Sequence, residues 1–137
     1  MIDIEHNFSR NKYEMLIDKS QISRVFQNLI INSIQSIQES NVSVGKINIV
    51  SSIADNYLNI LILDNGIGLK YEKNELIKPY FTTKKRRGGS GLGLAIVEKI
   101  LFDHNAEFFI ENRNDGTEGA KVDIKFDNKI WIIKKYS

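Results

Sequence analysis

Two clusters of glycine limit what this chain can be more than any other feature. Residues 64–69 read Asp-Asn-Gly-Ile-Gly-Leu after the apolar run 58–63, and residues 88–94 read Gly-Gly-Ser-Gly-Leu-Gly-Leu before a helical pattern. Glycine lets the backbone approach a ligand closely. A glycine loop that opens a helix also presents unpaired N–H groups, which suit a phosphate. The pair therefore predicts a nucleotide pocket with a carboxylate at one end and a phosphate cradle at the other.

The composition is that of an ordinary soluble domain. The 137 residues are 42% hydrophobic and 26% charged, so we predict one domain over residues 1–137. The net charge of +2 gives no reason to expect a nucleic-acid or membrane partner. The absence of cysteine excludes disulfides and thiolate metal sites. No apolar run has the length of a membrane span. The absence of cysteine fits a reducing compartment, and we expect a cytoplasmic location for this domain, with a membrane-anchored parent receptor left open.

Hydrophobic periodicity predicts an α+β fold. Apolar residues in the segment 21–38 follow the 3, 4, 7 spacing of a helix, and Asp18 with Gln21 could form its capping box. A second helix is predicted over about 91–102, and a long lid loop over 70–90, with one helical turn near 74–77. Strands are predicted near 2–4, 13–17, 46–53, 57–63, 108–111 and 120–126, with 130–133 as a final strand or a docking segment. We expect a two-layer sandwich whose helices cover one face of a mixed, mostly antiparallel sheet.

A line of amides runs along the first predicted helix. Asn28, Asn32 and Gln35 lie at i, i+4 and i+7 and therefore share one helix face. Such a line can simply face solvent, or it can offer oxygens to a metal and donors to phosphates. Mg²⁺ prefers oxygen ligands and keeps several waters, so one side-chain oxygen together with nucleotide phosphates is sufficient. Asn32, at the centre of the line, is our candidate ligand.

Four motifs in order resemble one known family. They cover residues 27–33, 64–68, 79–84 and 89–97, and resemble the N, G1, F and G2 boxes of the catalytic ATP-binding domain of sensor histidine kinases. That domain belongs to the superfamily of gyrase B, the Hsp90 chaperones and MutL. Residues 79–84, with Gln35, are most similar to the nitrogen-regulation type of kinase. The resemblance covers roughly residues 2–126.

The resemblance implies a role for each matching position. Asn32 would coordinate Mg²⁺ on the ATP phosphates with Asn28 beside it, and Asp64 would accept a hydrogen bond from the adenine 6-amino group. Many relatives carry Lys or Arg where Gln35 stands, so a phosphate contact by Gln35 is left open. The remaining cofactor-binding candidates are loop positions near the base, the lid or the phosphates: Gly66, Gly68, Thr82, Thr83, Lys84, Gly89, Ser90, Gly91, Leu92 and Gly93.

The phosphoacceptor box of these kinases is missing from the sequence. His6 lies in a strand-like segment, and His104 lies at a helix end, where it could bind the last carbonyls. The resemblance therefore implies that the chain transfers the γ-phosphoryl group to a histidine on a separate dimerisation domain, with a response regulator downstream. The alternatives are an anti-sigma-factor-like serine kinase and a non-catalytic ATP-binding interaction module.

Overall fold

The computed structural model describes residues 1–7, 12–69, 93–127, 129 and 131–134. Its elements in chain order are β1 (Ile2–Asn7), β2 (Lys12–Met15), α1 (Lys19–Gln38), β3 (Gly45–Ala54), β4 (Tyr57–Asp64), α2 (Gly93–Asp103), β5 (Ala106–Asn112), β6 (Ala120–Asp127) and β7 (Trp131–Lys134). The two long helices and the strands expected from the periodicity are all present, with ends shifted by a few residues. The lid predicted over 70–90, with its helical turn at 74–77, lies outside the described residues.

Helix α1 begins at the predicted cap. Asp18 is extended, and its Oδ1 accepts the backbone N–H of Gln21 at 3.1 Å, which satisfies one of the donors left unpaired at a helix start. The face toward the sheet is apolar except for two serines. Its buried residues are Ile22, Val25, Leu29, Ser33, Ser36 and Ile37.

Five strands form one mixed sheet in the order β1-β3-β4-β6-β5. β1 runs parallel to β3, and every other neighbouring pair is antiparallel. Asp55 and Asn56 both have positive φ, which is the requirement of the tight turn between β3 and β4. The central position predicted for the strand 57–63 is confirmed. β2 and β7 pair in a separate two-stranded sheet, so the apolar segment near the C-terminus is a strand.

The core lies between one face of the larger sheet and the two helices. Alternate residues of β6, Val122, Ile124 and Phe126, are buried, as the period of a strand requires. They pack in one cluster with Val97 of α2 and Val25 of α1. This arrangement confirms the predicted α+β sandwich with helices on one face.

The end of α2 is attached to the start of α1 through one histidine. His104 Nδ1 lies 2.8 Å from Ile100 O, and the backbone N–H of Asp18 donates to His104 Nε2 at 3.1 Å. Because a backbone amide can only donate, Nε2 is the acceptor and Nδ1 carries the proton. Asn105 then takes a left-handed conformation with φ 55°, which asparagine tolerates at a helix end.

Candidate nucleotide-binding site

The carboxylate of Asp64 is fixed where the central strand ends. Asp64 is 3% exposed and is the last residue of β4 on the side that faces the helices. Its Oδ1 accepts two backbone N–H groups, from Gly66 at 2.9 Å and from Ala120 at 3.2 Å. Among the residues that the structure describes, both hydrogen bonds to this carboxylate end on Oδ1. Neither of these two hydrogen bonds uses the other oxygen, Oδ2.

The loop after β4 rests on the C-terminal half of α1. Ile67 N donates to Ser36 Oγ at 3.1 Å and lies 3.4 Å from Ser36 O. Gly66 lies so close to Ser36 that a Cβ atom would overlap the serine hydroxyl and backbone. Glycine is therefore required at position 66 by this close approach. The contact joins the predicted carboxylate site to the helix that carries the amide line.

Asn65 and Asn112 secure the two sides of the same loop. Asn65 Oδ1 accepts Lys46 N at 2.7 Å, while its Nδ2 donates to Val44 O at 3.1 Å. Asn112, at the end of β5, accepts Leu69 N and donates to Leu69 O at 3.0 Å. Gly68 lies against this asparagine. The loop is thus held from β3 on one side and from β5 on the other.

The first residue of the amide line lies beside the start of α2. Asn28, Asn32 and Gln35 are all half-buried on α1. A Cβ atom placed on Gly93 would lie 3.6 Å from Asn28 Oδ1, so the first residue of α2 lies beside the first residue of the line. Ser36 lies eight positions after Asn28 in α1, which corresponds to about 12 Å along the helix axis. One helix therefore connects the Asp64 loop to the N-terminus of α2.

Seven of the predicted binding residues cannot be placed. They lie in the lid and in the second glycine cluster, outside the ranges that the structure describes: Thr82, Thr83, Lys84, Gly89, Ser90, Gly91 and Leu92. Their predicted contacts remain predictions. The structure brings together the other candidates, with Asp64, Gly66 and Gly68 near one end of the amide line and Gly93 near the other.

The turn between β5 and β6 contributes residues that sequence reasoning missed. Arg113 Nη1 donates to the backbone oxygen of Asp64 at 3.0 Å, and Arg113 N donates to Gly119 O at 2.9 Å. Gly119 has φ 145°, and a Cβ atom there would overlap the Asp64 carbonyl. The only local signal was the pair of glycines at 116 and 119, which indicates a tight turn but does not reveal what the turn touches.

The chain belongs to the family described as histidine kinase-, DNA gyrase B- and HSP90-like ATPases. The model of that family matches residues 17–130, which include α1, the Asp64 loop and α2. This confirms the superfamily that the four motifs indicated.

Within this family, the chain is similar to sensor proteins of the NtrY type. The NtrY-like sensor histidine kinase of Rickettsia typhi is 35% identical over 125 residues, which are 90% of this chain and 20% of that protein. The nitrogen regulation protein NtrY of Azorhizobium caulinodans is 36% identical over 116 residues, 82% of this chain and 14% of that protein. The predicted resemblance to kinases of the nitrogen-regulation type is confirmed. The chain spans about a fifth or less of the length of these relatives.

A solved histidine kinase domain has the same fold. The nucleotide-free catalytic domain of the histidine kinase ThkA superposes with a TM-score of 0.75 at 28% identity, covering 93% of this chain and 79% of that chain. ThkA in complex with the response regulator TrrA superposes with a TM-score of 0.71, also at 28% identity, covering 91% of this chain and 34% of that chain.

In the part of the chain that the structure describes, no helix is long and apolar enough to cross a membrane.

Proposed function

We propose that this domain binds Mg·ATP along α1 and presents the γ-phosphoryl group to a histidine on a separate dimerisation domain of a two-component sensor kinase. The single observation that carries the proposal is the path along α1. A buried, doubly hydrogen-bonded carboxylate lies at one end of the amide line, and the N-terminus of α2 lies at the other. The two ends suit adenosine triphosphate, since the carboxylate can accept a hydrogen bond from the base and a helix N-terminus favours phosphate.

The carboxylate end favours adenine over bases with an oxygen at position 6. An ionised carboxylate can only accept hydrogen bonds, so a ligand atom that hydrogen-bonds directly to Asp64 Oδ2 must be a donor. The 6-amino group of adenine is such a donor, whereas the 6-oxo group of inosine or guanine is a second acceptor. A hydrogen bond to a charged group contributes about 1.5–3 kcal/mol, which corresponds to at least about tenfold in affinity.

The amide line fits a magnesium-bound triphosphate. Asn32 and Asn28 offer neutral oxygens, the ligand type that Mg²⁺ accepts when phosphates supply the charge. When bound, the ion neutralises charge that develops on the transferred phosphoryl group. Asn32 would hold the ion and Asn28 would lie beside it, with Gln35 further along the same face. By family resemblance, Thr82 and Thr83 would belong to the base of the lid, Lys84 would reach the outer phosphates, and residues 89–92 would surround the phosphates with backbone amides.

The acceptor histidine is proposed to lie on another domain. Both ring nitrogens of His104 are engaged, one with Ile100 O and one with Asp18 N, so this ring is structural. His6 lies on β1, in the sheet rather than on a dimerising helix. The neighbour ThkA is known in complex with a response regulator, which supports a response regulator as the downstream partner.

The first experiment tests the base site. Calorimetric titration compares Mg·ATP with Mg·ITP, whose base has an oxygen in place of the 6-amino group. In Asp64→Asn, the side-chain oxygen must still accept Gly66 N and Ala120 N, so the amide NH₂ faces the ligand. We expect ATP affinity to fall about tenfold or more and the preference to move toward ITP. Asp123→Asn, on the opposite face of the sheet, is the matched control. Unchanged ATP affinity in the folded Asp64 variant would contradict the proposal.

The second experiment identifies the reaction. The domain is incubated with γ-labelled ATP and a histidine-bearing dimerisation domain from a related kinase. Label that is stable in base and lost in acid indicates phosphohistidine. A label on serine, stable in acid, would support the serine-kinase alternative. ATP binding without transfer would support the non-catalytic module.

A further inference from the structure

Arg113 connects the turn between β5 and β6 to the backbone of Asp64. Its Nη1 donates to Asp64 O at 3.0 Å, while Nε and Nη2 contact the two carboxylate oxygens of Asp115 at 3.1 and 2.7 Å. The Arg113 side chain is only 16% exposed. One edge of the guanidinium is therefore held by Asp115, and the third nitrogen, Nη1, donates to Asp64 O.

The strand ladder explains why this donor is needed. β4 and β6 pair in register up to Leu63 opposite Lys121. The next amide along β6, Ala120 N, turns to the Asp64 side chain and donates to Oδ1. Arg113 supplies a hydrogen bond to the Asp64 carbonyl, the backbone acceptor of the same residue. The backbone and the side chain of Asp64 are thus bound by separate donors from one turn.

The turn between β5 and β6 also lies close to the Asp64 carbonyl. The turn is closed by Arg113 N on Gly119 O, and Gly119 leaves no room for a side chain over the Asp64 carbonyl. A shift of the turn would therefore move both the carbonyl and the Ala120 amide. Since the guanidinium is ion-paired with Asp115, Arg113 acts on Asp64 as an oriented donor.

We propose that Arg113 is a positioning residue for adenine recognition. It holds the Asp64 backbone so that Oδ1 stays on the Gly66 and Ala120 amides and Oδ2 faces the 6-amino group. This inference rests on the proposed function. Arginine is required because its planar fork binds Asp115 with two nitrogens while a third reaches Asp64, which the single ammonium of lysine cannot do.

The ratio of ATP affinity to ITP affinity distinguishes a positioning role of Arg113 from a general effect on stability. Affinities for Mg·ATP and Mg·ITP are measured for the wild-type domain, Arg113→Met, Arg113→Lys and Asp115→Asn, each checked for folding by circular dichroism. In Arg113→Met we expect ATP affinity to fall about tenfold and ITP affinity to change less than about twofold, because ribose and phosphate contacts do not depend on Asp64. Arg113→Lys and Asp115→Asn should lie between this variant and the wild type.

Each outcome decides one question. A wild-type domain that binds neither nucleotide overturns the proposed function, and one that binds both equally overturns the Asp64 base site on which this inference rests. A discriminating wild type with an equally discriminating Arg113→Met, or with ATP and ITP affinities reduced by the same factor, overturns the positioning role alone. If Arg113→Met does not fold, Arg113→Lys and Asp115→Asn decide the question, and full discrimination in both contradicts the inference.

Discussion

Ser36 in α1 and Ile67 in the loop after β4 are joined through both oxygens of the serine. The Ile67 amide lies 3.1 Å from Ser36 Oγ and 3.4 Å from Ser36 O. A buried hydroxyl on the apolar side of a helix thus fixes the loop that carries the candidate base site. The distance between that loop and the amide line is set by this contact.

Ser36→Ala should weaken both the fold and the site. The shorter of the two hydrogen bonds is lost, so we expect the free energy of unfolding to fall by about 1 kcal/mol and ATP affinity to fall several-fold. Urea denaturation and ATP titration measure the two effects. Ser40→Ala is the matched control, since Ser40 Oγ donates to Ile37 O at 2.6 Å at the same helix end. The control should lose stability and keep its affinity; loss of affinity in both variants would contradict a specific role for Ser36.

Gly119→Ala should be much more damaging than Gly116→Ala. Both glycines have positive φ, so both variants strain the backbone by about 1–3 kcal/mol. At Gly119 the new methyl group would also overlap Asp64 O, whereas at Gly116 a Cβ atom has nothing within 4 Å. Thermal unfolding of the pair measures the difference. Equal losses of stability in Gly119→Ala and Gly116→Ala would contradict the close contact between Gly119 and Asp64 O.

Local sequence patterns predicted the elements well and the loop contacts poorly. The cap of Asp18 on Gln21 spans three residues, and the turn at Asp55-Asn56 spans two, so both could be read directly. The contacts that fix Asp64 come from Ala120 and Arg113, 56 and 49 residues away. They depend on the register of β6 against β4, which hydrophobic alternation does not specify. Ser36 belongs to the predicted helix, but no residue near it in the sequence indicates that it binds Ile67.

The ion pair between Arg113 and Asp115 should make stability depend on pH in the acid range. The side-chain hydrogen bond from Arg113 holds the pKa of Asp115 below its ordinary value of 3.8, and the Thr117 amide adds to this against an opposing desolvation effect. A lowered pKa in the folded state means that the carboxylate stabilises the fold above the ordinary pKa and loses this effect as pH falls through the folded value. Unfolding of the wild type and Asp115→Asn is compared from about pH 6 to about pH 2. The wild type should lose its advantage toward the acid end; a constant difference would contradict the ion pair.

His104 should be a neutral ring with its proton on Nδ1. Asp18 N requires Nε2 as its acceptor, and Ile100 O accepts from Nδ1. Nitrogen-15 shifts of the ring report the tautomer, and a proton on Nε2 would contradict the link between the helices. His104→Ala should lower the free energy of unfolding by about 1–2 kcal/mol. ATP affinity should stay unchanged, because this end of α2 is about 15 Å from Gly93.

Gly93→Ala should raise the stability of the domain and lower its affinity for Mg·ATP. Gly93 is not among the glycines with positive φ, and a Cβ atom there lies in ordinary contact with Asn28, 3.6 Å from its Oδ1. Alanine is therefore tolerated by the fold and should raise the free energy of unfolding by about 0.4–1 kcal/mol, because it restricts the unfolded chain. The same methyl group stands between the helix start and the amide line, where the phosphates are proposed to lie. We expect a more stable protein that binds Mg·ATP less tightly, measured by urea denaturation and titration of one sample. A stabilised variant with wild-type affinity would place the phosphates elsewhere.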